Sequence, residues 1–144
     1  MDVLFVASTA VITTEPEATE QRYVGTLGLP LEHVGDGYWR SEAIEGSKHF
    51  GVWPLQHAAQ SCFGTSDWPA ERLVPQASVE LEVGSLAEVE AAEAELVAAG
   101  WDRLHVTKTE PWGQTVARFQ TPEGVILGIS FAPWMHDEAV AQPA

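Results

Sequence analysis

A single cysteine, Cys62, is all this chain of 144 residues has. It excludes an internal disulfide and suits a reducing cytoplasm. Basic residues are also scarce: seven Lys and Arg stand against 21 Asp and Glu, a net charge of −14. So few cations cannot neutralise a phosphate backbone, which excludes nucleic acid as a partner. No stretch approaches the ~20 continuous apolar residues of a membrane span. The N-terminus, MDVLFVASTAVITTEP, lacks the basic start of a signal peptide, and its Val and Thr content reads as a strand. What is present is the 45% hydrophobic content of a chain able to bury an ordinary core as one globular domain over 1–144. The acids Glu88, Glu90, Glu93 and Glu95 fall on one predicted helix without basic residues at i+4, the pattern of a solvated face.

Two halves follow the same plan. Val3 to Ile12 reads as a strand, and Thr14 opens a helix with Pro16 in its first turn, running to about Leu27 and stopped by Gly28. Short strands follow at 31–34, 38–43 and 49–55. After a connector at 56–75, where 57–64 reads as a short helix ended by Gly64, residues 76–83 alternate as a strand. Ser85 and Glu88 form a capping box ahead of a helix that stops at Gly100. Strands are expected at 102–109, 114–120 and 125–130. The order β-α-β-β-β occurs twice, about 70 residues apart, which marks two similar modules, 3–55 and 76–130. The tail, 131–144, turns polar after Trp134 and should fray.

The segment Glu110 to Ser130, EPWGQTVARFQTPEGVILGIS, is a hairpin closed at Thr-Pro-Glu-Gly, where Pro122 presets φ and Gly124 accepts a positive one. It resembles the final hairpin of the vicinal-oxygen-chelate superfamily of glyoxalases, bleomycin-resistance proteins and extradiol dioxygenases. KHFGVWPL, SCFG and PWGQT are similar to a glyoxalase-like subgroup within it. The resemblance implies an α+β fold in which two βαβββ modules form paired, incomplete barrels around a cleft. Such folds tend to pair, so it also implies a homodimer. In most enzymes of the superfamily the cleft holds a divalent metal such as zinc, nickel, manganese or iron.

The superfamily's ligand positions are occupied here by poor ligands. Counting back from Tyr23 and Gly28 places Ser8 at the first-strand position, and Leu81-Glu82-Val83 places Ser78 at its counterpart. The closing strand, usually G-N-L-V-E-L-S with Glu as ligand, reads Gly124-Val125-Ile126-Leu127-Gly128-Ile129-Ser130, and Phe50-Gly51 puts glycine at the matching place in the first half. Hydroxyls bind zinc, iron or nickel weakly, so no metal cofactor is expected. The alternative is a relocated site using Glu80 with His49 and His57, or Cys62. There Glu80 would be the catalytic carboxylate of a metal-dependent lyase, isomerase or dioxygenase.

Six tryptophans complete the reading. Trp39, Trp53 and Trp112, with Ser8, Ser78, Glu80 and Gln114 as polar contacts, are the expected lining of a ligand pocket. The function that follows is a metal-free protein that binds or sequesters a small drug-like molecule, and the acid excess would suit a cationic one. His57 and Cys62, five apart, share no helical face, so no Cys-His nucleophile is expected.

Overall fold

The structure, a computed structural model, describes residues 1–136. One eight-stranded mixed sheet runs through it, with strands β1 (Phe5–Thr13), β2 (Glu32–Gly35), β3 (Tyr38–Ser41), β4 (Phe50–Pro54), β5 (Ala77–Glu82), β6 (Asp102–Thr109), β7 (Thr115–Gln120) and β8 (Ile126–Phe131). The strand order β2-β3-β4-β1-β5-β8-β7-β6 is symmetric about its centre. Each half is a βαβββ unit whose first strand lies innermost, and β1 pairs antiparallel with β5 to join them. The repeat seen in the sequence can be read from the registers. Ala10 pairs with Gly51 in the first half, and Glu80 pairs with Gly128 in the second. Residue i of β1 therefore corresponds to i+70 of β5, which makes Ser8 and Ser78 equivalent.

Among the described residues three α-helices pack on the sheet. The helix α3 (Leu86–Ala98) begins where Ser85 accepts a hydrogen bond from the Glu88 amide, as the capping box requires. It packs Val89, Ala92 and Leu96 onto Ala117, Phe119 and Ile129. Its acids are not all solvated, contrary to the sequence reading. Glu93 pairs with Arg103 at 2.8 Å and accepts from the amide and hydroxyl of Thr107, and Glu95 binds the terminal ammonium of Met1. These partners come from other elements, which i+4 spacing does not report.

The first-half helix differs from its expected form. After one turn of α-helix, α1 (Pro16–Glu20), the chain widens into a π-helix over Gln21–Thr26 before Gly28 ends it at φ +70°. Thr13 rather than Thr14 holds its start, accepting from the Glu15 amide and the Thr19 hydroxyl. The connector contributes α2 (Leu55–Phe63), ended by Gly64 at φ 74°. Ala58, Ala59 and Cys62 of α2 form a second core with Ile12, Trp68, Leu104 and Ile126. The tail expected to fray begins at 131, yet Phe131 ends β8, Pro133–Met135 forms a 3-10 turn and His136 is fixed against Glu82 at 2.8 Å; the rest of it, 137–144, lies outside the described residues.

The β2–β3 turn carries its own constraint. Gly37 sits at φ +82°, and a Cβ there would lie 2.9 Å from Pro16. Gly37→Ala should therefore cost about 1–3 kcal/mol through backbone strain and overlap with α1. A melting temperature within a degree or so of the wild type would show that this turn relaxes freely.

Candidate functional site

The two half-sheets curve around a cavity of about 640 Å³. Its floor comes from the inward face of the two central strands, where the side chains are small: Ser8 and Ala10 on β1, Ser78 on β5. Trp53, Trp112, Trp134 and Tyr38 supply aromatic wall, α2 adds His57, Gln60 and Ser61, and Met135 closes one side with Trp134. A sheet pleat sends alternate residues to one face, and along β5 the buried set is Ser78, Glu80 and Glu82. The polar face of this strand therefore looks inward, and Glu80 is not a solvent-facing acid.

Most of the residues singled out from the sequence come together here. Ser8, Trp53, Ser78, Glu80, Trp112 and Gln114 line the one cavity, as do His49 and His57. Trp39 does not. It pairs with Val52 while its neighbour Arg40 pairs with the inward Gly51, so the pleat turns the indole to the opposite face, where it packs 4.9 Å from the His33 ring. Residue type alone does not report strand parity, which here sets Trp39 opposite to the cavity face. The inward residues of β3 are Tyr38 and Arg40, and both line the cavity.

Arg118 is the residue the sequence reading missed. It lies within the hairpin strand, fully buried, at the centre of a charged network. One guanidinium nitrogen is 2.9 Å from Glu110 Oε2 and 3.3 Å from His105 Nε2, and the other is 3.5 Å from Glu80 Oε2. Its charge also lies 5.5 Å from the Trp53 ring, within cation–π range. Glu80 Oε1 accepts from the Gln114 amide at 2.8 Å, and Gln114 in turn accepts from the Trp112 indole at 2.9 Å. Lys108 donates to the Ser61 carbonyl and pairs with Glu110. Burial works to raise the Glu110 carboxyl, and the charge and hydrogen bond of Arg118, with Lys108 and Ser61, together more than offset it, leaving Glu110 below its ordinary 4.5. Burial takes His105 down to about 4, so it stays neutral and accepts from Arg118 while its Nδ1 donates to the Val106 carbonyl. The parity signal was available in the sequence: Arg118 is four residues from Gln114 on the same strand face.

A second polar group faces this network. The Tyr38 hydroxyl is 2.7 Å from His49 Nε2, and His49 Nδ1 is 3.9 Å from Glu42. Burial keeps the imidazole neutral by lowering its pKa from 6.5, and burial together with the Glu80 charge raises the Tyr38 phenol. Both groups are therefore uncharged near neutral pH. The cavity's charged lining is balanced, with Arg40 and Arg118 against Glu42 and Glu80. The acid excess of the chain lies elsewhere, notably on α3.

The residues at the metal-ligand positions do not fit a metal. Gly51 and Gly128 leave space that neighbouring side chains take: a Cβ at Gly51 would lie 3.3 Å from the Tyr38 hydroxyl, and one at Gly128 would lie 3.0 Å from Glu80 Cγ. Glu80 bonds instead to the Gln114 amide and faces the Arg118 guanidinium. His49 is engaged by Tyr38 and Glu42. Cys62 is buried, and burial pushes its thiol up to about 11, far from the thiolate a metal needs. Among the described residues no group of three or more His, Cys, Asp or Glu could hold an ion. The relocated set of His49, His57 and Glu80 shares a cavity without converging on a point.

No protein-family model matches the chain, and no curated protein does. Solved structures do match it. A glyoxalase/bleomycin resistance protein/dioxygenase superfamily member from Vibrio splendidus 12B01 aligns with a TM-score of 0.59 at 10% identity, over 91% of this chain and 100% of that one. Streptomyces coelicolor methylmalonyl-CoA epimerase, bound to 2-nitronate-propionyl-CoA, aligns at 0.57 and 13% identity, over 91% and 99%. A protein from Legionella pneumophila described as an NAD-dependent benzaldehyde dehydrogenase aligns at 0.57 and 12%, over 86% and 96%. At such identities the likeness is one of fold. The chain has the vicinal-oxygen-chelate fold.

Proposed function

We propose that this protein binds and sequesters a flat, largely aromatic organic molecule of drug-like size in the cavity between its half-sheets, without a resident metal. The observation that carries this reading is the cavity itself. About 640 Å³ bordered by Trp53, Trp112, Trp134 and Tyr38 over a floor of Ser and Ala suits a stacked ring system. The polar groups at its ends are neutral or already paired, which favours recognition over bond-breaking chemistry. Glu80 is restrained by Gln114 and Arg118, so it makes a poor general base.

Trp112 is half exposed, and its indole is held by Gln114 at the cavity wall. Calorimetric titration with a panel of naphthalene, quinoline and indole derivatives should find binders. Trp112→Ala should weaken them by about 1–3 kcal/mol, the scale of losing a stacking partner. Chelator treatment should leave their affinity unchanged. A panel that yields no heat and no rise in melting temperature would overturn the reading. Binding that disappears with chelator would do the same and return the case to a metal-dependent enzyme.

A further inference from the structure

We infer that Tyr38 and Glu80 form a subsite for a protonated amine within this cavity, and that His49 is the positioning residue that sets it. The inference rests on the aromatic-ligand reading above and specifies the ligand's polar end.

The direction of the Tyr38–His49 hydrogen bond carries the argument. A carboxylate only accepts, so Glu42, 3.9 Å from His49 Nδ1, favours the proton on that nitrogen. Nε2 is then an acceptor, and Tyr38 at 2.7 Å must donate to it. The phenolic proton is thereby turned away from any ligand, and the oxygen presents lone pairs. Gly51 permits this placement, since a Cβ there would lie 3.3 Å from the hydroxyl. Burial of the imidazole disfavours the doubly protonated form that would reverse the bond.

Between Tyr38 and Glu80 lies the small-residue floor of Ser8, Ala10 and Ser78, all facing the cavity. Glu80 pairs with Ser8 across β1 and β5, and on the other edge of β1 the Thr9 amide donates to the His49 carbonyl, so β1 separates the two ends; the Glu80 charge acts on both Tyr38 and His49. Glu80 Oε1 accepts from Gln114 and Oε2 faces Arg118 only at 3.5 Å, and a carboxylate oxygen can accept more than one bond. The two ends of the floor thus offer acceptors. The nearest cations, Arg118 and Arg40, are each committed to carboxylates, Arg118 to Glu110 and Glu80, and Arg40 to Glu32 and Glu42. A ligand cation with several N–H donors fits this arrangement, and an acceptor-only group does not.

The test compares 1-naphthylmethylamine with 1-(methoxymethyl)naphthalene, which shares the ring but has no donor, by calorimetry at neutral pH. The amine should bind the wild type about tenfold or more tightly than the ether, the scale of a charge-assisted hydrogen bond. Tyr38→Phe should remove most of that preference and leave the ether's affinity unchanged. His49→Phe should raise the ether's affinity, because the freed phenolic proton can turn into the cavity. Equal binding of both probes to the wild type would overturn the subsite and leave the aromatic cavity standing, and so would an undiminished preference in a folded Tyr38→Phe protein. If neither probe binds, the cavity reading falls and the subsite with it.

Discussion

Replacing Arg118 by methionine should destabilise the protein by about 3–5 kcal/mol, the cost of leaving buried carboxylates without their counter-charge. Methionine fills comparable volume, so the loss is electrostatic rather than a cavity effect. Arg118 serves Glu110 at 2.9 Å and Glu80 at 3.5 Å, and both acids are buried. Adding Glu110→Gln to Arg118→Met should recover part of the loss, since it removes one stranded charge. Urea denaturation of the two variants measures this, and a loss below about 1 kcal/mol for Arg118→Met would show that water reaches the network.

The pH dependence should change sign with it. In the wild type Glu110 titrates below its ordinary 4.5 because Arg118, helped by Lys108 and Ser61, outweighs the effect of burial. The folded state then holds that proton less tightly than the unfolded chain. Its contribution is therefore full above 4.5 and is lost as pH falls through the lowered value. Without Arg118 burial dominates, the carboxyl rises above 4.5, and mild acid should stabilise the variant. Stability curves that stay parallel across the acid range would refute this.

Arg118 also shows how far the sequence reaches. The two modules, the Ser85 cap and the helix stop at Gly100 follow from local chemistry, and the structure has them. Strand ends shifted by only a residue or two, as at β7 and β8. The cavity lining was legible where pleat parity applies, as with Ser78 and Glu80, and was not where residue type stood in for parity, as with Trp39. Arg118 needed both parity and the knowledge that Glu110, eight residues earlier, returns beside it through a Trp-Gly bend. The Tyr38–His49 pair joins β3 to the residue just before β4 and depends on the empty position at Gly51. That is a register relation, invisible until β3 and β4 are paired.

Glu82→Ala should cost about 2–4 kcal/mol in stability and should also weaken aromatic ligands, although Glu82 does not line the cavity. Its carboxylate is completely buried. One oxygen accepts from the Ala132 amide at 2.5 Å and meets His136 at 2.8 Å, and the other has no partner among the described residues. These bonds tie β5 to the chain leaving β8. Between their two anchor points lies the 3-10 turn Pro133–Met135, whose Trp134 and Met135 form cavity wall. Alanine orphans the buried Ala132 amide and frees the turn, so stability and binding should fall together. Glu82→Gln keeps an acceptor for that amide and should lose less of both. The charge has a separate signature. Burial raises the Glu82 carboxyl above 4.5 against the pull of Ala132 and His136. The folded state binds this proton more tightly, so its stabilising effect is full below 4.5 and fades as pH rises through the raised value. Glu82→Gln should abolish that part of the slope, which calorimetric melting across the acid range would detect. If Glu82→Ala lowers stability while ligand affinity holds, the turn is positioned by its own packing and not by this carboxylate.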